Sequence, residues 1–587
     1  MSRLPASARP AAAAPIPLRA AATPVGDSAS ARQLERLRDE LGAFRAQAAA
    51  TMLQEALSRL QADDPKGGAE WALKALEHDE RAGYAWYVLA IAREKAGDYG
   101  QALQCYESAL QLLPDEGELA NDLGRLAYRL DMPAVAERLF QKALARAPGS
   151  VEPTNNLACA LRDQMRHAEA IEVLRPVIYA QPEHPMLWNT LGTVLTEQGD
   201  MPQALTFYEE ALRLDPGFVK ARYNRANARL ALGDVEGALA DVETALDAPA
   251  PADEQAMMRL ARATMLIAGG DLARGWDAYE ARMDPLYADA VHFLANRPLW
   301  TPDMPLAGRS LLVIGEQGLG DEVMFASALP DLEAALGPEG RLTLAVEPRL
   351  VPLFERAFSR ARVEPHGTFK AGHRTVRAVL SLGDWEGIDA WTPIAGLLRR
   401  FRPEAGAFPD RAAYLRPDPA ALAGWRRTVE GCGPGFKVGV LWKSLKIDAG
   451  RARYFSPFER WRPVLETPGV TFVNLQYGDC AAELAQAEAE LGVRLVQPGL
   501  DLKDDLDGVA ALSCALDLVI GPANATTNIA AACGAETWII STPGAWPKLG
   551  TGRYPWYPSA RVFSAPAYND WAPVMAEVAA ALAKRVS

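Results

Sequence analysis

The stretches YGQALQCYESALQLLP (99–114), PAVAERLFQKALARAP (133–148), HAEAIEVLRPVIYAQP (167–182) and MPQALTFYEEALRLDP (201–216) are four versions of one pattern. Each closes on a proline, and Pro114, Pro148, Pro182 and Pro216 stand 34 residues apart. Ala102, Ala136, Ala170, Ala204 and Ala238 share one register, and Tyr106, Phe140, Leu174, Tyr208 and Val242 follow one helical turn on. Small residues let helices approach closely and large ones fill the gaps. The segments between them carry Leu89-Ala90, Leu123-Gly124, Leu157-Ala158 and Leu191-Gly192, with Trp86 and Trp188 leading two of the units. Stacked pairs of helices follow from that pattern.

A period of 34 is that of tetratricopeptide (TPR) arrays, solenoids whose concave face receives an extended peptide or a partner protein. Asn121, Asn155 and Asn189 share one register of the first helices, and the next register reads Asp122, Asn156, Thr190 and Asn224. On a concave face an amide can donate to and accept from a peptide backbone, an arrangement that resembles the asparagine ladder of O-linked N-acetylglucosamine transferase. The same amides can equally bond to water or to neighbouring helices. Residues 1–30, rich in Ala and Pro, read as a disordered tail. Residues 31–285 read as a helical segment and the array, with a degenerate capping repeat from about residue 49, and 286–305, with Pro298, Trp300, Pro302 and Pro305, as a linker.

The 587 residues carry a net charge of -13, which argues against a nucleic-acid partner. The six cysteines have no CxxC spacing, as expected of reduced thiols in a cytoplasmic protein. No signal peptide or membrane span is expected, because Pro15, Pro17 and Arg19 break the one apolar run near the start.

Beyond residue 306 short β-branched runs alternate with Ala-rich helical stretches, the mark of parallel sheets wrapped by helices. LLVIG (311–315), LTLAV (342–346) and AVLSL (378–382) are expected strands of a first half, residues 306–430. KVGVLW (437–442), VTFVNLQ (470–476), VRLV (493–496), LDLVIG (516–521) and ETWIIS (536–541) are expected strands of a second, residues 431–587. The expected architecture is therefore multidomain: an all-α TPR solenoid, then an α/β region of two Rossmann-like halves in the GT-B plan. The last helix, from about Trp571 to Lys584, is expected to pack back on the first half.

Two loops stand where ligands bind in such sheets. After LLVIG come Glu316 to Glu322, with Gly318 and Gly320 permitting a tight backbone and Asp321 readable as a helix cap or as a general base facing a cleft. After LDLVIG come Pro522 to Asn528 and a small-residue helix whose N-terminus would attract an anion, with Thr526 and Thr527 as hydroxyl donors. Lys443, Lys446, Arg451 and Arg453 share one loop that is either a solvated basic surface or the counter-charge to a phosphate. The acidic run Asp504, Asp505 and Asp507 reads as a helix start, and no metal cluster emerges.

GWDAYEARM, PLAGRSLLVIGEQGLGDEVMFASALPDL, KVGVLWKS, VTFVNLQYGD, DLVIGPANATTNIAAACG and YPWYPSARVF together resemble bacterial TPR-containing glycosyltransferases, nearest to those that attach nonulosonic acids to flagellin. The resemblance implies a metal-independent transferase that needs no cofactor besides a nucleotide-sugar donor, favoured as CMP-pseudaminic or CMP-legionaminic acid. Flagellin is the implied acceptor, held by the array through Asn121, Asn155, Asn156, Asn189 and Asn224. Asp321 looks like the base that heptosyltransferase-like enzymes place after a glycine. Lys443, Lys446, Arg453, Gln476, Asn524, Thr526, Thr527 and Asn528 look like the donor site. Two departures are Asn528, where many relatives carry His, and Ser381-Leu382-Gly383, where they read SLP. The competing expectations are a catalytically inactive TPR adaptor for flagellin secretion or assembly, and a transferase acting on lipopolysaccharide or capsule.

Overall fold

The computed structural model describes residues 28–372, 374–383, 385–445, 451 and 454–587. They fall into two compact units that divide between Leu130 and Asp131. The first contains α1 (Ser28–Gln61), α2 (Pro65–His78), α3 (Gly83–Lys95), α4 (Tyr99–Leu112) and α5 (Gly117–Arg129). Ala102 and Tyr106 are buried, as the repeat register requires.

The second unit continues with α6 (Pro133–Arg146), α7 (Val151–Asp163), α8 (His167–Ala180), α9 (Pro185–Gln198) and α10 (Met201–Leu214). It goes on through α11 (Val219–Ala231), α12 (Val235–Asp247), α13 (Ala252–Ala268) and α14 (Leu272–Ala278). Ala136, Ala170, Ala204 and Ala238 are fully buried beneath Phe140, Leu174, Tyr208 and Val242. Asp200, Asp234 and Asp271 cap α10, α12 and α14 by accepting from backbone N–H groups of the first turn.

After the helices come three sheets among the described residues. In the first, β2 (Ser310–Ile314), β3 (Arg341–Val346), β4 (Arg362–Pro365) and β7 (Ala390–Pro393) lie parallel in the order β4-β3-β2-β7. In the second, β8 (Phe436–Val440), β9 (Val470–Asn474), β10 (Leu518–Pro522), β11 (Thr537–Ser541) and β12 (Arg561–Ser564) lie parallel in the order β12-β11-β10-β8-β9. β1 (Val291–Phe293), β5 (Gly367–Ala371) and β6 (Arg374–Ala378) form a small third sheet.

Several expectations need correction. The run 378–382 is not a strand of the first sheet. β6 ends at Ala378, Leu380–Leu382 is a short helical turn, and Gly383 at φ +56° reverses the chain. The sheet is completed by β4 and β7 instead, and β7 is buried along its whole length. Of 493–496, Val496 alone bridges to Val473. Residues 286–305 are no free linker: β1 pairs with β6, Leu299 bridges to Trp391, and Trp300 is buried. The C-terminal helix Trp571–Val586 does not reach the first half, because Trp571, Val574, Met575, Val578 and Leu582 form one apolar stripe that packs on the second sheet.

The repeats and the sheets share a core within the second unit. Trp276 and Tyr279 of the GWDAYEARM stretch pack with Phe325, Trp546 and Trp556. Trp276 Nε1 donates to the Arg402 carbonyl at 2.8 Å. Arg282 forks onto Glu316 through bonds of 2.8 and 3.0 Å, with both side chains buried. The two sheets are joined as well: the helix Ala525–Ala532 packs on α15 (Leu319–Phe325), and Arg356 grips Asp507 at 2.7 and 2.8 Å.

Candidate functional site

β2 runs into Gly315, Glu316 and Gln317, the last at φ +59°, and α15 starts after Gly318. Asp321 sits in the first turn, where its Oδ2 accepts the Gly318 N–H at 3.1 Å. β10 runs into Ala523 and Asn524, which caps the helix Ala525–Ala532. Asn524 Oδ1 accepts the Thr527 N–H at 3.2 Å, and Thr527 Oγ1 accepts the Asn524 N–H at 3.0 Å. Both loops leave the carboxyl ends of parallel strands, so two helix N-termini face one place.

They touch. Asn528 Nδ2 donates to the Gly320 carbonyl at 3.0 Å, and a Cβ on residue 320 would lie 3.0 Å from that same nitrogen. This close approach is what the glycine permits. The bond also fixes which way the Asn528 amide points. Its Oδ1 and the Asn524 Nδ2 are left buried without a protein partner, one an acceptor and the other a donor.

Three acids crowd the first loop, and two are neutralised. Glu316 is held by Arg282 and accepts the Ala395 N–H at 2.8 Å. Glu322 accepts from the Glu347 N–H at 2.9 Å and lies 2.8 Å from His366 Nε2 and 3.4 Å from Arg377. Asp321 faces a cavity instead. Burial pushes its carboxyl up from an ordinary 3.8 to about 6, the Gly318 N–H works against that, and the charges of Glu316 and Glu322 add to the rise.

That cavity has a volume of about 1060 Å³ and lies wholly within the second unit. Asp321, Gly320, Asn524 and Asn528 form one wall, with Ser541 and Thr542 at the end of β11. The repeats form another: Arg162, Thr196, Leu230 and Thr264 line it at one 34-residue register, joined by Tyr223, Asn224 and Asn227. The loop after β11 leans on α11 so closely that a Cβ on Gly544 would lie 2.4 Å from the Leu230 carbonyl. Arg451, Tyr454, Tyr477 and Tyr568 close the remaining side. Among the described residues no cluster of His, Cys, Asp or Glu is poised to hold a metal ion, and no helix is long and apolar enough to cross a membrane.

The tetratricopeptide repeat family is matched over residues 83–116, 155–217 and 195–263. Over 559 residues the chain is 51% identical to Protein FlbA of Caulobacter vibrioides, covering 95% of this chain and 94% of that protein. The chain belongs to the FlbA family. It is also 26% identical over 181 residues to the human Protein O-mannosyl-transferase TMTC1, a match of 30% of this chain and 20% of that one. Among solved structures, PilW, a type IV pilus biogenesis factor, aligns with 34% of this chain and 92% of its own at 22% identity and a TM-score of 0.32.

The residues expected at the site of this FlbA-family chain divide into three groups. Asp321, Gly320, Asn524 and Asn528 line the cavity, and Gly318 caps α15 beside it. Lys446 and Arg453 lie outside the described residues. The others are engaged within the protein. Lys443 forms an ion pair with Glu483. Gln476 Oε1 accepts the Trp442 and Lys443 N–H groups at 3.0 and 2.9 Å, which makes it a brace for the loop after β8. Thr527 Oγ1 donates to the Pro522 carbonyl at 2.8 Å, so that hydroxyl shapes the loop, and Thr526 is buried; neither residue lines the cavity wall.

The amide register divides in the same way. Asn121 is buried in the first unit. In the second, Asn155 accepts from Thr190, and Asn224 Nδ2 donates to Asn189 Oδ1 at 2.9 Å, so these pairs stitch neighbouring repeats together. Asn156 is half-buried on α7, and Asn224 also reaches the cavity. Sequence reasoning missed Arg162, Tyr223 and Asn227. The repeat period itself held the signal, since 162 and 196 lie seven residues, two helical turns, beyond Asn155 and Asn189 on the same helix face.

Proposed function

We propose that this chain is a glycosyltransferase of GT-B type that moves a sugar from a nucleotide donor to a Ser or Thr hydroxyl of a protein. One observation carries the reading: Asp321, a carboxylate raised to about 6, faces a cavity walled by the helix N-terminus at Asn524 and by the repeats. A base with that value is ionised at neutral pH yet basic enough to take a hydroxyl proton. The acceptor oxygen then attacks the anomeric carbon, and the bond to the nucleotide phosphate breaks with its electron pair leaving on the phosphate. The N-terminus of Ala525–Ala532 and Arg451, both at the cavity, would stabilise that charge. The repeats that line the cavity would hold the acceptor, with flagellin favoured, and the donor favoured is a CMP-linked pseudaminic or legionaminic acid.

The test is incubation of the purified protein with flagellin and each CMP-sugar, read as the intact mass of flagellin. A gain of one sugar residue is expected, and Asp321→Asn should lower its rate by roughly 10²- to 10⁴-fold while leaving flagellin binding intact. A variant that transfers at full rate would remove Asp321 from the role of base. The second reading, a non-catalytic adaptor, draws on the internal engagement of Lys443, Gln476 and Thr527. It gains first place if CMP, UDP, GDP and ADP sugars neither raise the melting temperature nor support transfer.

A further inference from the structure

α1 carries two apolar stripes, and the fold of its own unit uses one of them. In its C-terminal half Ala49, Ala56 and Leu60 are buried, where α1 packs on α2 and α3. Continued toward the N-terminus in steps of three and four, that stripe would pass through Arg45, Gly42, Arg38 and Glu35, none of them apolar side chains. One residue earlier in each case, about 100° round the helix, stand Leu34, Leu37, Leu41, Phe44 and Ala48. Leu37 and Leu41 are each 55% exposed and Phe44 is 77% exposed. Leu37, Leu41 and Phe44 therefore point in a direction of their own, which the packing of α1 on α2 and α3 leaves exposed.

Its spacing of three, four, three and four residues is that of a heptad, with Leu34, Leu41 and Ala48 at a and Leu37 and Phe44 at d. The flanking charges choose the partner. Glu40 falls at g, and Arg38 and Arg45 fall at e. In a parallel pair of identical helices each g residue meets the e residue five positions on in its partner, so Glu40 meets Arg45 twice by symmetry and Gln33 meets Arg38. An antiparallel pair would set e against e and g against g, placing like charges together.

We propose that residues 34–48 of α1 form a parallel two-stranded coiled coil with the same segment of a second copy of this chain. The seam is short, but it extends a helix whose other half is already anchored, so nucleation of the helix is not left to the dimer contact.

Sedimentation velocity of the full chain across micromolar concentrations is the test. Twice the mass of one chain is expected, falling to one chain in Leu41→Asp/Phe44→Asp with the circular dichroism melt of the remainder unchanged. Glu40→Arg should weaken the dimer roughly threefold or more through repulsion from Arg45, and adding Arg45→Glu should restore it. A wild-type chain that sediments singly overturns the proposal, as does a dimer that survives the Leu41/Phe44 change. Failure of the charge swap to restore the dimer overturns the parallel pairing.

Discussion

At the ends of β2 and β10 the chain makes the same move twice, strand to tight loop to helix N-terminus, yet the two loops use their polar groups in opposite ways. The first holds three acids and engages two from outside: Arg282 comes from the end of the repeats to Glu316, and His366, between β4 and β5, and Arg377, on β6, come to Glu322. Asp321 is thereby the acid of this loop that faces the cavity. The second loop satisfies itself, Asn524 and Thr527 capping each other, and beside the cavity it leaves one amide nitrogen and one amide oxygen buried without a protein partner. One loop is held by distant residues and keeps a titratable group. The other is held locally and keeps a fixed shape.

The largest effect that would break this contrast comes from Arg282. Arg282→Met leaves Glu316 buried without its cation and should cost about 3–5 kcal/mol in denaturant unfolding, with Arg282→Met/Glu316→Gln recovering much of it. A loss under about 1 kcal/mol would mean that the first loop, too, is held locally.

Next in size is the pH dependence of Asp321. Its carboxyl is raised from 3.8 to about 6, so the fold favours the protonated form, and that stabilisation is present below the unfolded value and lost as pH rises through about 6. Asp321→Asn should therefore be more stable than the wild type by about 1–3 kcal/mol at pH 8 and show almost no difference at pH 4. Transfer by the wild type should fall as pH drops through about 6. An Asn variant that melts alike at both pH values would show that the carboxyl is not raised.

The smallest effect sharpens the second loop. Thr527→Val removes the bond to the Pro522 carbonyl and half of the mutual cap, and should cost about 1–2 kcal/mol of stability. Donor affinity at saturating folded protein should change little. A large loss of affinity with unchanged stability would place the hydroxyl against the ligand after all.

Local pattern made part of this legible. The 34-residue period identified the helices, their buried alanines and their large partners, because a solenoid repeats one packing problem and the answer recurs at fixed spacing. The two strand–loop–helix turns were visible for a similar reason, since β-branched runs followed by Gly or Asn and small residues encode their own geometry. The run 378–382 departs from the strand expectation because a short apolar run does not by itself distinguish strand from turn: Val379 and Leu382 pack with Trp385 and Trp391 from a turn, while Leu380 is exposed.

The sequence by itself determined the repeat array, the parallel sheets and the two loops, all set by contacts between residues close along the chain or related by a constant period. Only the tertiary structure decided which polar groups remain for a ligand. Whether Glu316, Lys443 or Thr527 is available depends on Arg282, Glu483 and Pro522, and in the first two cases the partner lies more than thirty residues away. It also made the repeats a wall of the cavity that holds Asp321, because a carbonyl of α11 meets a glycine more than three hundred residues later. A charge or amide is neutralised by whatever the fold brings within about 3 Å, and no spacing in the sequence encodes that distance.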